Sequence, residues 1–191
     1  MIQLPKDFVY RNYGITARLV TEQDANFIVN LRSNDKLGRF IHASNGSVEK
    51  QIEWTREYKE REAAGLDYYF IFSKDGEDFG LCRIYNIDWT HLSYTSGSWI
   101  IKMGTPEDIA MIPSVMLSDI ANEILGLQVD LYDVRKENKQ VLRYHRMILC
   151  AIQYGETELD YLFMSTPETR TQSKLRRLLN LPPFDKNQFK I

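Results

Sequence analysis

Between Leu127 and Leu149 the spacing of apolar residues changes from two to about 3.6. The first part, Leu127 to Val134, is rich in β-branched and aromatic residues and reads as a strand. The second carries Val141, Leu142, Tyr144, Ile148 and Leu149 at helical spacing. Asn138 stands at the junction, where its short side chain can accept a hydrogen bond from a first-turn amide as an N-cap. A strand that runs straight into a capped helix makes this an α/β chain.

The remaining elements follow the same reasoning. Residues 1–13 read as a polar lead-in, followed by a strand from Gly14 to Val20. Thr21 and Asp24 form a capping segment for a helix with Ala25, Phe27, Ile28 and Leu31 on one face. After the breaker run 44–47, a second helix shows Val48, Ile52, Trp54 and Tyr58 at helical spacing. Strands at 68–73 and 79–87 are joined through Asp75-Gly76, a strong hairpin signal, and a third runs from about Tyr94 to Met103. Residues 106–125 read as a helix with Pro106 at its start and Gly126 as its C-terminal cap. A strand near 157–164 and a helix from about 168 to 179 close the order β-α-α-β-β-β-α-β-α-β, with 181–191 as a tail. One domain over 1–191 is expected.

The stretch from Tyr132 to His145, with the wording V-R-K-x-N-x-x-V-x-x-[FY]-H, resembles the strand–Asn–helix segment of the GNAT acyl-CoA N-acyltransferases. Within that superfamily it resembles enzymes that acetylate nucleotide-linked amino sugars for bacterial surface glycans. The element order also matches the GNAT fold, a mixed central sheet flanked by helices. The resemblance implies acetyl-CoA as co-substrate, held by Ile101, Lys102, Met103, Ile109, Ala110, Met111, Ile112 and Asn138. The family's usual Arg/Gln-x-x-Gly-x-Gly/Ala turn is replaced here by Lys102-Met-Gly-Thr-Pro-Glu-Asp-Ile-Ala-Met-Ile-Pro113, which places Glu107 and Asp108 in the first helical turn. Such carboxylates also suit the helix dipole.

His145 occupies the place where many GNAT enzymes have a tyrosine that protonates the departing CoA thiolate. An imidazole of ordinary pKa, about 6.5, can donate a proton near neutrality, which makes His145 the expected catalytic acid. Tyr144 is expected to face elsewhere and pack. The segments 83–86 and 97–102 resemble the family's third and fourth strands, so Arg83, Tyr85, Ser98 and Trp99 are candidates for the acceptor side, Arg83 as a phosphate partner. Arg32, Asn34, His42 and Gln51 join them from the first two helices and their loop. No base is singled out among Asp88, Glu53, Glu137, Glu156 and Asp160. Two alternatives stay open: a ribosomal-protein or peptide N-terminal acetyltransferase, and a non-catalytic binding module of the same fold.

The 191-residue chain carries a formal net charge of −2, which gives no electrostatic reason for nucleic-acid binding. Cys82 and Cys150 are far apart and sit in apolar surroundings, as buried free thiols of a reducing compartment do. No apolar run approaches the roughly 18 residues of a membrane span, and the N-terminus does not read as a signal peptide. A cytoplasmic protein is expected, with a small-molecule amine, most simply a nucleotide sugar, as its partner. A homodimer is left open, and no cluster has metal-site spacing.

Overall fold

The computed structural model describes residues 2–34 and 46–188. Eight strands form one sheet: β1 (Val9–Asn12), β2 (Ile15–Leu19), β3 (Tyr68–Lys74), β4 (Glu77–Asp88), β5 (Ser93–Ile101), β6 (Val129–Arg135), β7 (Ile152–Glu156) and β8 (Asp160–Ser165). Their order across the sheet is β1-β2-β3-β4-β5-β6-β8-β7. All neighbours pair antiparallel except β5 and β6, which are parallel and joined by a crossover. The crossover is α3 (Glu107–Ser118), which continues as a π-helical turn over Asp119–Ile124.

Why the sheet is buried on both faces is legible in β3. Its run Tyr68-Tyr-Phe-Ile-Phe72 is apolar at every position, as strands covered on two sides are. Tyr68, Phe70 and Phe72 point into a core shared with Ile112, Met116 and Ile120 of the crossover. Tyr69 and Ile71 point the other way, into a core shared with Ile28 and Leu31 of α1 (Ala25–Arg32) and Tyr58 of α2 (Val48–Ala63). The Asp75-Gly76 hairpin has both residues at positive φ, 51° and 85°, as a tight hairpin turn requires. The cap at Asn138 forms as expected, and Ser47 caps α2 in the same way: each side-chain oxygen accepts from the amide three residues on.

Four expectations need correction. The polar lead-in contains β1, because Tyr10 and Phe8 are buried and anchor it beside β2. A single strand near 157–164 is in fact the second arm of a β7–β8 hairpin. The expected last helix breaks into α5 (Pro167–Gln172) and α6 (Leu175–Leu178), since Ser173 adopts extended ψ of 134°. Cys82 is buried but Cys150 only half so, at a positive-φ corner (56°) rather than within an apolar element.

A buried carboxylate ties three distant segments together. Asp119, 1% exposed at its side chain, accepts hydrogen bonds from Tyr10 (3.1 Å), Tyr13 (2.9 Å) and Arg176. The N-terminal hairpin, the crossover and the C-terminal helix therefore meet on one group. Replacing it leaves two phenols without their acceptor and Arg176 with the Tyr13 hydroxyl and the Pro182 carbonyl alone. The Asp119→Ala protein is expected to lose about 3 kcal/mol of stability, read by urea unfolding, as when one partner of a buried ion pair is removed. A loss below about 1 kcal/mol would mean that these segments hold together without it.

Candidate functional site

Only two residue pairs connect β5 to β6, Ser93 with Val129 and Tyr94 with Asp130. Beyond them the strands diverge, and β5 keeps ladder partners on its β4 side alone. A cavity of about 610 Å³ opens in the gap, bounded by β5, β6, α3 and the helix after β6. Strand edges buried in this way must find other partners for their backbone groups. An amide-bearing ligand that lies along β5 would supply them.

The wall formed by β5 is irregular where it faces the cavity. Leu81 pairs with Ile100 and Arg83 with Gly97, so two residues of β5, Ser98 and Trp99, stand opposite one of β4. This is a β-bulge with Ser98 at φ 52°, and its extra peptide groups drop out of the ladder. Gly97 beside it is crowded: a Cβ there would meet the Tyr85 ring at 3.0 Å. The Trp99 ring lies 5.3 Å from that of Tyr144, and its buried indole N–H has no acceptor among the described residues. A buried donor of this kind carries a desolvation cost that a ligand carbonyl would relieve.

The opposite wall comes from the segment that follows β6. Asn138 Oδ1 accepts from the Val141 amide at 3.3 Å and starts α4 (Lys139–Arg143). The helix then widens into a π-turn, Tyr144–Ile148, closed by Leu149 N–H donating to the Tyr144 carbonyl at 3.1 Å. In consequence Tyr144 and His145 both line the cavity, although Tyr144 was expected to face away from it. The Tyr144 hydroxyl donates to Ser114 Oγ at 2.8 Å. His145 Nδ1 lies 2.9 Å from the Tyr132 hydroxyl, which in turn is 3.3 Å from Ser165 Oγ.

His145 is enclosed by the rings of Tyr132, Tyr144 and Phe163, at 4.6, 5.2 and 5.9 Å. Burial pushes its pKa down to about 4, because the imidazolium loses its water and gains no carboxylate. Burial thus favours the neutral ring at physiological pH. Its Nδ1 is held by the Tyr132 hydroxyl, and the ring lies on the cavity wall. Burial likewise raises the phenols of Tyr132 and Tyr144 above their ordinary value, so both stay protonated.

Asp130 also lines the cavity and accepts from the Ser96 amide at 2.8 Å. Desolvation raises its carboxyl to about 7. Sequence reasoning overlooked it. None of the five carboxylates weighed there lines the cavity; Asp88, Glu156 and Asp160 face His91, Lys136 and Arg135 instead. The one signal available was position: Asp130 shares a strand face with Tyr132, two residues on.

The other expected residues divide into groups. Ser98, Trp99, Asn138 and His145 come together around the cavity. Ile101, Lys102, Met103, Ile109, Ala110, Met111 and Ile112 do not line it; they follow β5 into the first turns of α3, with Lys102, Met103, Glu107 and Asp108 exposed. Asn34 approaches that turn, its amide 4.0 Å from the Met103 sulfur, while Arg32 ends α1. Gln51 is engaged within α2, donating to Thr55 Oγ1 at 3.2 Å. His42 lies outside the described residues. The Arg83 guanidinium pairs with the buried Asp67 and stacks on Trp54 (5.1 Å) and Tyr85 (4.7 Å). Its charge is spent on the fold, and Tyr85 is held by it.

No protein-family model matches the sequence, and no curated protein matches it either. Solved structures do. An apo structure of FdhC, a nucleotide-linked sugar GNAT, superposes with a TM-score of 0.80 at 29% identity, covering 92% of this chain and 99% of that one. The ribosomal-protein-S5-alanine acetyltransferase of Vibrio fischeri gives 0.70 at 14% identity, over 84% of this chain and 97% of its own. Spermidine N-acetyltransferase of Vibrio cholerae, in complex with CoA and spermine, gives 0.69 at 16%, over 84% and 99%. The chain has the GNAT acetyltransferase fold and resembles the nucleotide-linked sugar GNAT; its structural neighbours are acetyltransferases, as an acyl-CoA N-acetyltransferase requires.

The Arg83–Asp67 geometry predicts how a variant divides stability from binding. Arg83→Ala strands Asp67 with the half-exposed Arg61 as its remaining cation. The expected result is a loss of about 3 kcal/mol in chemical unfolding, with nucleotide affinity reduced only as far as Tyr85 moves. An undiminished unfolding midpoint with abolished nucleotide binding would return Arg83 to the role of phosphate ligand.

Proposed function

We propose that this GNAT-fold acetyltransferase moves an acetyl group from acetyl-CoA to the primary amine of a nucleotide-linked amino-deoxysugar, by direct attack of the amine. The observation that carries this reading is the β5–β6 gap, with a bulge and an unpartnered Trp99 donor on one wall and Asn138, Tyr144 and His145 on the other. The 29% identity to a nucleotide-linked sugar GNAT over 92% of the chain favours the sugar over other amines.

The residues present fit acetyl-CoA as co-substrate. Its pantetheine amides match the unpaired edge of β5, and its diphosphate suits the first-turn amides of α3, with Lys102 adjacent. Glu107 and Asp108 are exposed and therefore screened, so they oppose the diphosphate only weakly. The Ser98 bulge releases backbone N–H groups that can receive the thioester oxygen as it gains charge. His145, oriented by the Tyr132 hydroxyl, can pass a proton to the departing sulfur as it takes one from the attacking nitrogen through water, so that its ring and Tyr132 both end the turnover as they began. Free cysteines and the absence, among the described residues, of a helix long and apolar enough to cross a membrane suit a cytoplasmic enzyme.

Two outcomes test this reading. Acetyl-CoA at about a hundredfold its Kd should raise the melting temperature by roughly 5–10 °C, the equivalent of about 2.7 kcal/mol in a chain of this size. Unchanged melting at millimolar CoA would remove the co-substrate. His145→Phe should lower kcat by about 10²–10⁴ with acetyl-CoA affinity little changed. Because His145 is already neutral above about 4, its titration should leave no falling limb in the wild-type rate between pH 5 and 8.

A further inference from the structure

Tyr94 and Asp130 form the last pair of the β5–β6 ladder. One step further, the Ser96 amide has no β6 carbonyl to meet and donates instead to Asp130 Oδ1 at 2.8 Å. The carboxylate thus sits at the vertex of the gap, on the cavity wall beside Ser96, Gly97 and Tyr132. Ser98, where the bulge releases its peptide groups, lies two residues along β5, about 7 Å away at the rise of a strand. A group at the vertex is within reach of an amine that attacks a carbonyl held at the bulge, directly or across one water.

The charge environment suits proton exchange. No ion pair among the described residues reaches Asp130. The groups that face it are Tyr85 from β4, Tyr94 from β5, Tyr132 from its own strand and Arg170 from α5. The three phenols are raised by burial and stay neutral, and Arg170 is engaged with the Gln128 carbonyl at 2.7 Å. Asp130 is therefore the group here that changes charge near neutrality, with a pKa of about 7. A carboxylate used solely to bind the Ser96 amide would gain nothing from such desolvation.

Resting on the acetyl-transfer reading above, we infer that Asp130 is the proton acceptor for the attacking amine. A sugar ammonium gives one proton to the Asp130 carboxylate and becomes a free amine. Its lone pair forms the C–N bond to the acetyl carbon, the C–S bond breaks with its electrons on sulfur, and the second nitrogen proton balances the one that sulfur receives. One proton per turnover leaves Asp130 for solvent. No oxidant, metal or covalent enzyme adduct is needed.

Asp130→Asn isolates the chemistry, because the amide oxygen still accepts from Ser96 and keeps the vertex closed. With a panel of nucleotide-linked amino sugars and CoA release as the readout, kcat should fall about 10²–10⁴ while KM for acetyl-CoA stays within about threefold. The wild-type rate should rise with pH through about 7 and lose that limb in the variant. In the wild-type fold the carboxyl is protonated above its unfolded pKa of about 3.9, so its contribution to stability falls as pH rises toward 7. Asp130→Asn should accordingly melt higher than wild type at about pH 8, by a smaller margin at about pH 5, and alike only near pH 4. Carbon-13 NMR of the Asp130 carboxyl should titrate near 7. Wild-type turnover and an intact limb in the variant, or a carboxyl titrating at the ordinary value, would overturn the assignment. If no sugar reacts, slow acetyl-CoA hydrolysis that still depends on Asp130 would support it while refuting the sugar reading.

Discussion

Two ladder pairs, Ser93–Val129 and Tyr94–Asp130, register β5 against β6, and each feature of the site depends on the strands separating after them. Hydrogen bonding across a sheet is cooperative, so a ladder that ends this early needs a device at its end. Here the device is a carboxylate that accepts the first orphaned amide, Ser96. The opposite edge of β5 stays paired to β4, which holds the strand in place while its cavity side is left for a ligand. The gap is thus built into the sheet and does not have to be opened by binding.

Burial then sets the chemistry of what lines the gap. An imidazole without a carboxylate partner becomes neutral, phenols stay protonated, and a carboxylate without a cation rises toward neutrality. These shifts share one cause and run in opposite senses for acids and bases. Burial thus favours the neutral form of the histidine and brings the aspartate toward neutrality. The charged residues of the acceptor side are dealt with differently. Arg83 is paired with Asp67 and sandwiched by Trp54 and Tyr85, which stiffens the wall.

Much of the fold could be read from local signals. The Asn138 cap, the Asp75-Gly76 hairpin, the Ser47 cap and the doubly apolar β3 all formed as local physics dictates. Strand β1 escaped notice because its apolar residues are few and are buried by partners far along the chain. The pairing of Arg83 could not be read because Asp67, sixteen residues earlier, gives no local sign of it. The two π-turns were equally invisible, since a helix of 3.6 residues per turn and one widened by a single residue share nearly the same apolar spacing.

The sequence by itself determined the alternation of strands and helices, the capped helix after β6, and the presence of Asn138 and His145 seven residues apart. Those depend on periodicity and on hydrogen bonds spanning three or four residues, which neighbours in the chain suffice to make. Only the tertiary structure decided that His145 is neutral, that Arg83 is committed to Asp67, and that Asp130 stands at the vertex of the gap. Proton affinity is set by the water and charge around a group, and those come from β4, β5 and α5, segments that meet Asp130 only once the sheet has formed.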